Sequence, residues 1–304
     1  MDYQKILNEV YEEVKGIKEK GKVADYIPEL SLVANDNFAM ALRTVDNRLY
    51  TIGESKKQFS TQSISKLFTL TMAINIEGKT LWKRVGKEPA GTSFNSLIQL
   101  ESENGVPRNP FINSGALVVS DIILSEYENG KESILKFIRE LCNCENINFD
   151  EKVAKSEAET GYRNVALANF IKDFNNLDNE PKDVLDFYFH QCSIAMSCEE
   201  LTAATLFLAN QGYNPITAKR ITSESRTKRL NSILLTCGTY DAAGDFAFRV
   251  GLPSKSGVGG GIVAIMPHQF VISVWSPGLD YHGNSLLGLK ALELFTEKTD
   301  ISIF

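Results

Sequence analysis

Strand-like runs lie near both ends of the chain, whereas its long middle is dominated by helical patterns. Near the N-terminus, "FAMALRTV" (38–45) and "RLYTIG" (48–53) flank the dipeptide Asp46-Asn47, and two such runs around a two-residue turn predict a β-hairpin. Near the C-terminus, "GGIVAIMP" (260–267) and "FVISVWSP" (270–277) are rich in β-forming residues. This segregation predicts an α+β fold in which both chain ends build one antiparallel sheet.

Helices are expected to flank this sheet and to fill the middle of the chain. Residues 3 to about 20 predict a charged amphipathic helix, and residues 285–298 predict a closing helix. In "SCEELTAATLFLANQG", Ser197 and Glu200 have the spacing of a helix-starting capping box. The apolar stripe expected on the first helix consists of Ile6, Val10, Val14 and Ile17.

The chain of 304 residues is long enough to bury a sizeable core. We expect a single domain over residues 1–304, with a sheet subdomain at about 1–60 and 230–304. A helical lobe at about 61–229 would be inserted between the two parts of the sheet.

Charge and hydropathy narrow the range of partners and locations. The net charge is −6, which argues against nucleic acid or an anionic membrane as the main partner, because both select a basic surface. No apolar run reaches the length of a membrane span. The first 22 residues carry charges throughout and contain no apolar signal-peptide region. We therefore expect a cytoplasmic protein that binds neither nucleic acid nor membrane.

The cysteine pattern indicates reduced thiols rather than disulfides or a metal site. The five cysteines are Cys142, Cys144, Cys192, Cys198 and Cys237. An odd number without an export signal is typical of free thiols. Cys142 and Cys144 form C-x-C, and no second pair or nearby histidine completes a zinc site. We expect no metal and no cofactor.

The stretch "QFSTQSISKLFTL" (58–70) places serines and a lysine in an apolar segment that ends at Gly78. Its composition predicts a helix buried on all sides. Ser63 and Lys66 are spaced i, i+3, so their side chains share one face, whereas Ser65 points elsewhere. A serine in the first turn also lies near the positive end of the helix dipole. Ser63 and Lys66 could thus form a nucleophile and its base.

Burial decides whether such a lysine can act as a base. A solvated lysine has a pKa of roughly 10.4, and an apolar environment can lower it by several units. The same Ser-x-x-Lys pattern occurs at Ser133–Lys136 and Ser225–Lys228, in charge-rich segments where the lysine would stay protonated. The alternative for Ser63–Lys66 is a helix-capping serine followed by a lysine that reaches solvent.

Two further features fit a serine enzyme. "LPSKSGVGGG" places Lys255-Ser256-Gly257 where a strand is expected to begin, and enzymes with Ser-x-x-Lys carry a Lys-Thr/Ser-Gly strand beside the nucleophile. Backbone N–H groups there could face a reacting carbonyl oxygen, because glycines permit close approach. The alternative is a flexible strand entry. Tyr188 and Tyr240 could relay protons, although a tyrosine taken alone is more often a core or surface residue.

With these residues assembled, the sequence resembles the serine-dependent glutaminase family of the bacterial glutaminase A type. The resemblance covers nearly everything after residue 25. The motifs that carry it are "DYIPEL", "FSTQSISKLF", "NPFINSGAL", "SEAETGYRNVALA", "FYFHQCSI", "CGTYDAAGDFA" and "GLPSKSGVGGGI". It implies a fold like that of the β-lactamases and penicillin-binding proteins.

The resemblance also implies a reaction and its catalytic groups. The reaction is hydrolysis of L-glutamine to L-glutamate and ammonia through a serine-bound γ-glutamyl intermediate. Ser63 matches the nucleophile and Lys66 the general base. Tyr240 matches a proton-relay tyrosine and Tyr188 a tyrosine at the substrate amide, and which of them is the main relay stays open. Val258 matches the residue whose N–H joins that of Ser63 in the oxyanion hole.

Substrate recognition and assembly follow from the same resemblance. The residues matching those that hold the α-amino and α-carboxylate groups are Tyr26, Asn113, Glu157 and Asn164. Glu157 is the natural partner of an ammonium group. Family members form dimers or tetramers, so a homodimer or homotetramer is expected. The alternatives are another serine amidohydrolase of the same fold and a non-catalytic amino-acid sensor.

Overall fold

The computed structural model describes residues 1–91 and 95–304. Its α-helices are α1 (Tyr3–Lys15), α2 (Pro28–Ser31), α3 (Lys66–Glu77), α4 (Leu81–Arg84), α5 (Leu97–Ser102), α6 (Asn113–Glu126), α7 (Gly130–Cys142), α8 (Glu151–Thr160), α9 (Tyr162–Asp173), α10 (Pro181–Cys192), α11 (Cys198–Ala209), α12 (Glu224–Cys237), α13 (Ala243–Arg249) and α14 (Leu286–Thr299). Short 3₁₀ helices cover Gln62–Ser65 and Tyr240–Ala242.

Within residues 1–91 and 95–304, the strands form one larger sheet and three small ones. The strands are β1 (Lys22–Val23), β2 (Ala39–Thr44), β3 (Leu49–Gly53), β4 (Phe59–Ser60), β5 (Asn148–Phe149), β6 (Ile194–Met196), β7 (Tyr213–Asn214), β8 (Lys219–Arg220), β9 (Ser254–Gly257), β10 (Gly261–Met266), β11 (Phe270–Trp275) and β12 (Gly278–Leu279). The five-stranded sheet has the order β3-β2-β11-β10-β9, and its neighbours are antiparallel. The prediction of one antiparallel sheet built from both chain ends is confirmed.

Alternating side chains along the sheet supply two separate hydrophobic cores. On β2, Met40 and Leu42 face the core shared with α1 and α14, whereas Ala39 and Ala41 face the core of the helical middle. This is the two-residue periodicity of a strand whose two faces are both covered. Helix α11 packs against β2 and β11 on the second face. The sheet is therefore the layer between the terminal helices and the central ones.

The first helix is shorter and rotated relative to its prediction. Helix α1 ends at Lys15, so Ile17 lies beyond it, and its buried residues include Leu7 rather than Ile6. Leu7, Val10 and Val14 are spaced by three and four residues, which follows the 3.6-residue turn better than repeated steps of four. Ile6 and Ile17 are half-buried at the edge of this core. The predicted stripe was therefore wrong by one position at its start.

The helical middle matches its prediction, with small strands added. The capping box of Ser197 and Glu200 begins α11 as predicted. The middle also contains the small antiparallel sheet β4-β6-β5, which the sequence patterns did not indicate. The division into a sheet subdomain and a helical lobe within one domain stays a proposal, which the two cores support. Among helices in the described ranges, none has both the length and the apolarity required to cross a bilayer.

Candidate active site

A cavity of about 360 Å³ gathers most of the predicted site residues. Seven of the nine line it: Tyr26, Ser63, Asn113, Glu157, Asn164, Tyr188 and Val258. The other two, Lys66 and Tyr240, are buried beside it and contact residues that line it. A larger groove of about 670 Å³, lined by residues such as Trp82 and Lys228, contains none of the nine. The chemistry of the lining, rather than the size of the cavity, therefore identifies the candidate site.

Ser63 lies on a tight turn that leads into the buried helix α3. The segment Gln62–Ser65 is a 3₁₀ helix, and α3 continues from Lys66. Gln62 has a φ of 48°, a left-handed conformation that non-glycine residues adopt at some energetic cost. Ser63 is half-buried and faces the cavity, whereas the buried Ser65 hydroxyl donates to the carbonyl of Gln62 at 2.6 Å. Of these two serines, Ser63 is the one available to a ligand.

Lys66 is held in a dry environment at the start of α3. Only 1% of its surface is exposed. Its amine donates to the side chain of Asn113 at 2.7 Å and to the carbonyl of Phe111 at 3.2 Å. Burial lowers the pKa of Lys66 to about 8, against the opposing effects of Cys192 and Glu157. With a pKa of about 8, a minority of this lysine is neutral near physiological pH, and the neutral form is the one that a base requires.

The structure differs from the expected pairing in one respect. Within the described residues, no direct hydrogen bond joins the Ser63 hydroxyl to the Lys66 amine, because the amine is directed to Phe111 and Asn113. The hydrogen-bond partner of Ser63 is instead the hydroxyl of Tyr240. The two groups nevertheless belong to one site, since Asn113 both binds Lys66 and lines the cavity beside Ser63.

The two predicted tyrosines have different neighbours. Tyr240 is buried with a φ of 58°, and its hydroxyl also donates to the carbonyl of Ser256 at 3.4 Å. Burial raises the pKa of Tyr240 to about 12. The hydroxyl of Tyr188 pairs with the thiol of Cys192, and burial holds the pKa of Tyr188 well above its ordinary value. Tyr240 is therefore the tyrosine in contact with the candidate nucleophile.

The Lys-Ser-Gly segment lies on a strand, as predicted, and passes close to Ser63. It occupies β9, and Val258 follows directly. A methyl group on Gly257 would lie 2.4 Å from the carbonyl of Thr61 and 3.3 Å from the backbone nitrogen of Ser63. Only glycine permits this approach. The N–H of Ser63 is among those that the start of a helix leaves without an intrahelical partner, so a nearby oxygen could accept from it.

A buried carboxylate also lines the cavity. Glu157 is buried on α8 and accepts a hydrogen bond from the hydroxyl of Tyr26 at 2.7 Å. Burial raises the pKa of Glu157, although hydrogen bonds from Tyr26 and Gln62 and the charge of Lys66 oppose this effect. Tyr26 exposes half of its surface, while its hydroxyl points inward to Glu157. An ammonium group that entered the cavity would form an ion pair with this carboxylate.

Two asparagines connect the carboxylate side to the lysine. Asn113 begins α6 and donates from its amide to the side chain of Asn164 at 2.9 Å. Asn164 lies on α9 at the cavity wall. The two side-chain amides lie beside the serine. Their NH₂ groups can donate to a ligand carboxylate, and their carbonyl oxygens can accept from a ligand ammonium group. The predicted set of nine residues is thus brought together from both ends and the middle of the chain.

Sequence reasoning missed several residues of the site. The missed residues are Gln62, Asn95, Thr160, Gly161, Arg163 and Cys192, which line the cavity. Lys255, buried beside it, was noted as part of the Lys-Ser-Gly segment but was given no role of its own. Gln62 and Arg163 directly adjoin predicted residues in sequence, so adjacency was an available signal. Nothing in the local pattern distinguished Cys192 from a core thiol. In the described ranges, no cluster of three or more His, Cys, Asp or Glu side chains is placed to hold a metal ion.

Comparison with known proteins gives an independent result. A model of the family described as Glutaminase matches residues 21–304. The glutaminase of Aliarcobacter butzleri is 54% identical over 305 aligned residues, which cover 100% of both chains. The glutaminase of Rhizobium leguminosarum bv. trifolii is 52% identical over 305 residues, covering 100% of this chain and 99% of the relative.

Solved structures share the fold along the whole chain. A protein described as probable glutaminase ybaS superposes with a TM-score of 0.94 at 33% identity, covering 99% of this chain and 97% of the other. A Bacillus glutaminase superposes with a TM-score of 0.91 at 31% identity, covering 100% of both chains. The sequence and structural similarities therefore extend beyond the cavity to both chain ends.

Proposed function

The chain belongs to the glutaminase family and hydrolyses L-glutamine to L-glutamate and ammonia, and we propose that Ser63 is the nucleophile of this reaction. Its fold is the β-lactamase-like α+β architecture. The observation that carries the assignment is the nearly complete burial of Lys66, three residues after a half-exposed serine on the cavity wall. The resulting enzyme is an amidohydrolase with a Ser-x-x-Lys motif and no cofactor.

In the proposed first step, neutral Lys66 takes the proton of Ser63 as the serine oxygen attacks the side-chain amide carbon of glutamine. The contacts of Lys66 support this assignment. Its two hydrogen bonds, to Phe111 and Asn113, use both N–H groups of a neutral amine and leave the lone pair for a proton. Because Ser63 and Lys66 are three residues apart on one helical face, rotation of the lysine side chain brings the amine toward the serine.

The developing oxyanion is then stabilised by backbone N–H groups. We assign this role to the N–H groups of Ser63 and Val258, supported by the close approach of Gly257 to the Ser63 backbone. Losing one such donor costs roughly 3–4 kcal/mol in other enzymes. The bond between the amide carbon and nitrogen then breaks, and Tyr240, whose hydroxyl contacts Ser63, passes the proton taken by Lys66 on to the departing ammonia, so that Lys66 is neutral again. Water then resolves the γ-glutamyl-enzyme with the same groups acting in reverse.

Tyr188 has a different role in this proposal. Its ring lies 5.6 Å from the Lys66 amine and its hydroxyl pairs with Cys192. Tyr188 therefore packs over the base and borders the substrate amide, whereas Tyr240 is the main proton relay. The contact of Tyr240 with Ser63 is the observation that separates the two roles.

The remaining predicted residues bind the amino-acid end of glutamine. Glu157 pairs with the α-ammonium group, because a buried carboxylate gains most from an ionic hydrogen bond. The neutral donors Asn113 and Asn164 serve the α-carboxylate, and Tyr26 joins them by turning its hydroxyl away from Glu157. The neighbouring cation Arg163 adds a charged partner at the rim. A site made of buried polar groups discriminates strongly against ligands that leave those groups unpaired.

The oligomeric state is inferred from the family resemblance, and the location from the odd number of cysteines, all of them free thiols. We infer a cytoplasmic homodimer or homotetramer. Light scattering on the purified protein and fractionation of cells that express it measure these two properties. A monomer, or recovery in a membrane fraction, would contradict the inference.

Ammonia release from a panel of substrates tests the proposed function. We expect turnover of L-glutamine and at least a roughly 100-fold lower kcat/KM for L-asparagine and D-glutamine, because a shorter or inverted substrate cannot satisfy both ends of the site. Hydrolysis of a chromogenic β-lactam in preference to glutamine would instead support another serine amidohydrolase. Glutamine binding measured by calorimetry without ammonia release would support an amino-acid sensor.

A further inference from the structure

Asn284 carries a buried amide that lies outside the lining of the candidate cavity. It precedes Ser285, the N-cap of α14, and only 2% of its surface is exposed. Its backbone is held in a tight loop, because its N–H donates to the carboxylate of Asp280 at 2.9 Å and its carbonyl accepts from the Asp280 N–H at 2.8 Å. A polar side chain removed from water is costly unless hydrogen bonds satisfy it. The partners of the Asn284 amide therefore indicate why this buried position is polar.

The side-chain amide of Asn284 joins two segments that are distant from it in sequence. Its oxygen accepts from the hydroxyl of Ser256, on β9, at 2.6 Å. Its NH₂ group donates to the carbonyl of Thr239 at 3.5 Å, just before the short 3₁₀ helix that starts at Tyr240. Because a carbonyl can only accept, the NH₂ group must face Thr239, which leaves the amide oxygen for the Ser256 hydroxyl. One side chain thus connects β9 to the turn that carries Tyr240.

Both of these segments determine where the Tyr240 side chain lies. The carbonyl of Ser256 accepts from the Tyr240 hydroxyl at 3.4 Å, and the same hydroxyl contacts Ser63. Tyr240 has a left-handed φ of 58°, which a non-glycine residue keeps only where surrounding contacts stabilise it. Asn284 therefore holds the backbone that precedes Tyr240 and, on β9, the residue that accepts from the Tyr240 hydroxyl.

The loop that carries Asn284 also packs near the ring of Tyr240. Gly283 has a φ of 86°, a conformation that glycine adopts without strain. A methyl group placed on Gly283 would lie 3.9 Å from the Tyr240 ring and 3.7 Å from the side chain of Val258. The loop therefore borders both the proposed proton relay and the residue assigned to the oxyanion hole.

A second contact joins the same loop to the Tyr240 turn, but at the protein surface. The Nδ1 atom of His282 lies 3.1 Å from the carboxylate of Asp241, and both side chains are 42% exposed. Exposed pairs of this kind contribute little, because water and salt screen them. The buried amide of Asn284 is therefore the stronger connection, and His282 offers a matched control two residues away.

We propose that Asn284 is a positioning residue for glutamine hydrolysis: its side-chain amide holds the Tyr240 turn against β9, so that the Tyr240 hydroxyl meets Ser63. This inference rests on the proposed function, in which Tyr240 is the proton relay. Asn284 does not touch the substrate and acts only through Tyr240. Its loss should therefore change the rate of the chemical steps rather than the binding of glutamine.

The variant Asn284→Ala, made alone and together with Tyr240→Phe, tests the proposal. Alone, it should lower kcat roughly 10–100-fold, because a small displacement of a reacting group is costly. KM for glutamine should stay within about threefold. Tyr240→Phe should lower kcat by roughly 10²–10⁴-fold. In that background Asn284→Ala should change kcat by less than about twofold, because no hydroxyl is left to align. The control His282→Ala should keep kcat within about twofold.

An unchanged kcat in folded Asn284→Ala, or an equal loss of kcat with and without the Tyr240 hydroxyl, would overturn the proposal. An equal loss in His282→Ala would also contradict it, because the effect would then belong to the loop as a whole. Full activity in Tyr240→Phe would instead refute the proposed relay, and this inference with it.

A second variant decides the matter if Asn284→Ala does not fold. Ser256→Ala removes the hydroxyl that donates to Asn284 and keeps the carbonyl that accepts from Tyr240. Because only one of the two hydrogen bonds of the amide is lost, we expect kcat to fall roughly 3–10-fold at unchanged KM. An unchanged kcat in Ser256→Ala would overturn the proposal.

Discussion

Helices α3 and α7 bring the same Ser-x-x-Lys pattern into opposite environments. Ser63–Lys66 leads into α3, where every residue from Lys66 to Ile74 is buried. Ser133–Lys136 lies on α7, an amphipathic helix on which Lys136 is exposed. A third copy, Ser225–Lys228 on α12, is exposed at both residues. The Ser-x-x-Lys spacing alone therefore does not identify a catalytic pair. Burial of the lysine distinguishes a candidate base from a surface cation.

The largest expected difference in activity is between alanine variants of Ser63, before α3, and Ser133, on α7. We expect Ser63→Ala to lower kcat for glutamine by on the order of 10⁴–10⁶-fold, because the nucleophile is lost. Ser133→Ala, the matched change on α7, should leave kcat within about twofold, since that serine donates to the Asn129 carbonyl far from the cavity. Ammonia release measures both, and circular dichroism verifies folding. Near-normal turnover by Ser63→Ala refutes the nucleophile assignment.

The lysines of the two copies provide the second test. Arginine cannot give up its proton, so we expect Lys66→Arg to lower kcat by roughly 10³-fold or more. Lys136→Arg changes a solvated cation into another and should have no measurable effect on kcat. Both are measured by steady-state kinetics at the pH optimum. Substantial activity in Lys66→Arg would exclude Lys66 as the general base.

A smaller effect is expected on the carboxylate side of the cavity. Glu157→Gln keeps the shape of the side chain but removes the charge that pairs with the substrate ammonium. We expect KM for glutamine to rise roughly 10–100-fold with a smaller change in kcat, because a hydrogen bond to a charged group contributes about 1.5–3 kcal/mol. Glu159→Gln, on the exposed side of the same helix, is the control. An unchanged KM in Glu157→Gln would place the ammonium group elsewhere.

The smallest effect concerns stability and leaves activity unchanged. Asn129 caps α7 by accepting from the N–H of Glu132. We expect Asn129→Ala to lower the free energy of unfolding by about 1 kcal/mol. Kcat should stay the same, because α7 carries the solvated copy of the motif. Urea unfolding and ammonia release are the measurements, and a loss of kcat in folded protein would show that α7 is coupled to the site.

Sequence patterns correctly predicted the strands and helices whose formation depends on residues close together in the sequence. The hairpin around Asp46-Asn47 appears as β2 and β3, and the apolar segment that ends at Gly78 is the buried helix α3. These features depend on turn chemistry and periodicity, which are readable over a few residues. The small sheet β4-β6-β5 was missed because its two- and three-residue strands give no periodic signal.

The candidate site was predictable only in part, because its geometry depends on contacts between segments that are distant in sequence. Its nine residues came from motifs of a resembling family, and the cavity brings them together. The contact of Ser63 with Tyr240 and the burial of Lys255 depend on how distant segments pack, which no local pattern contains. Likewise, the direction of the Lys66 amine toward Asn113 is set by α6, far along the chain.

The pH dependence of glutamine hydrolysis by the wild-type enzyme tests the central claim most directly, namely that a buried, neutral Lys66 activates Ser63. Burial lowers the pKa of Lys66 to about 8, and the protonated lysine cannot accept a proton. As the pH falls through about 8, kcat/KM should therefore decline, by up to about tenfold for each pH unit below that value. A kcat/KM that stays constant from about pH 9 to about pH 6.5, a range that extends well below this pKa, would contradict the account.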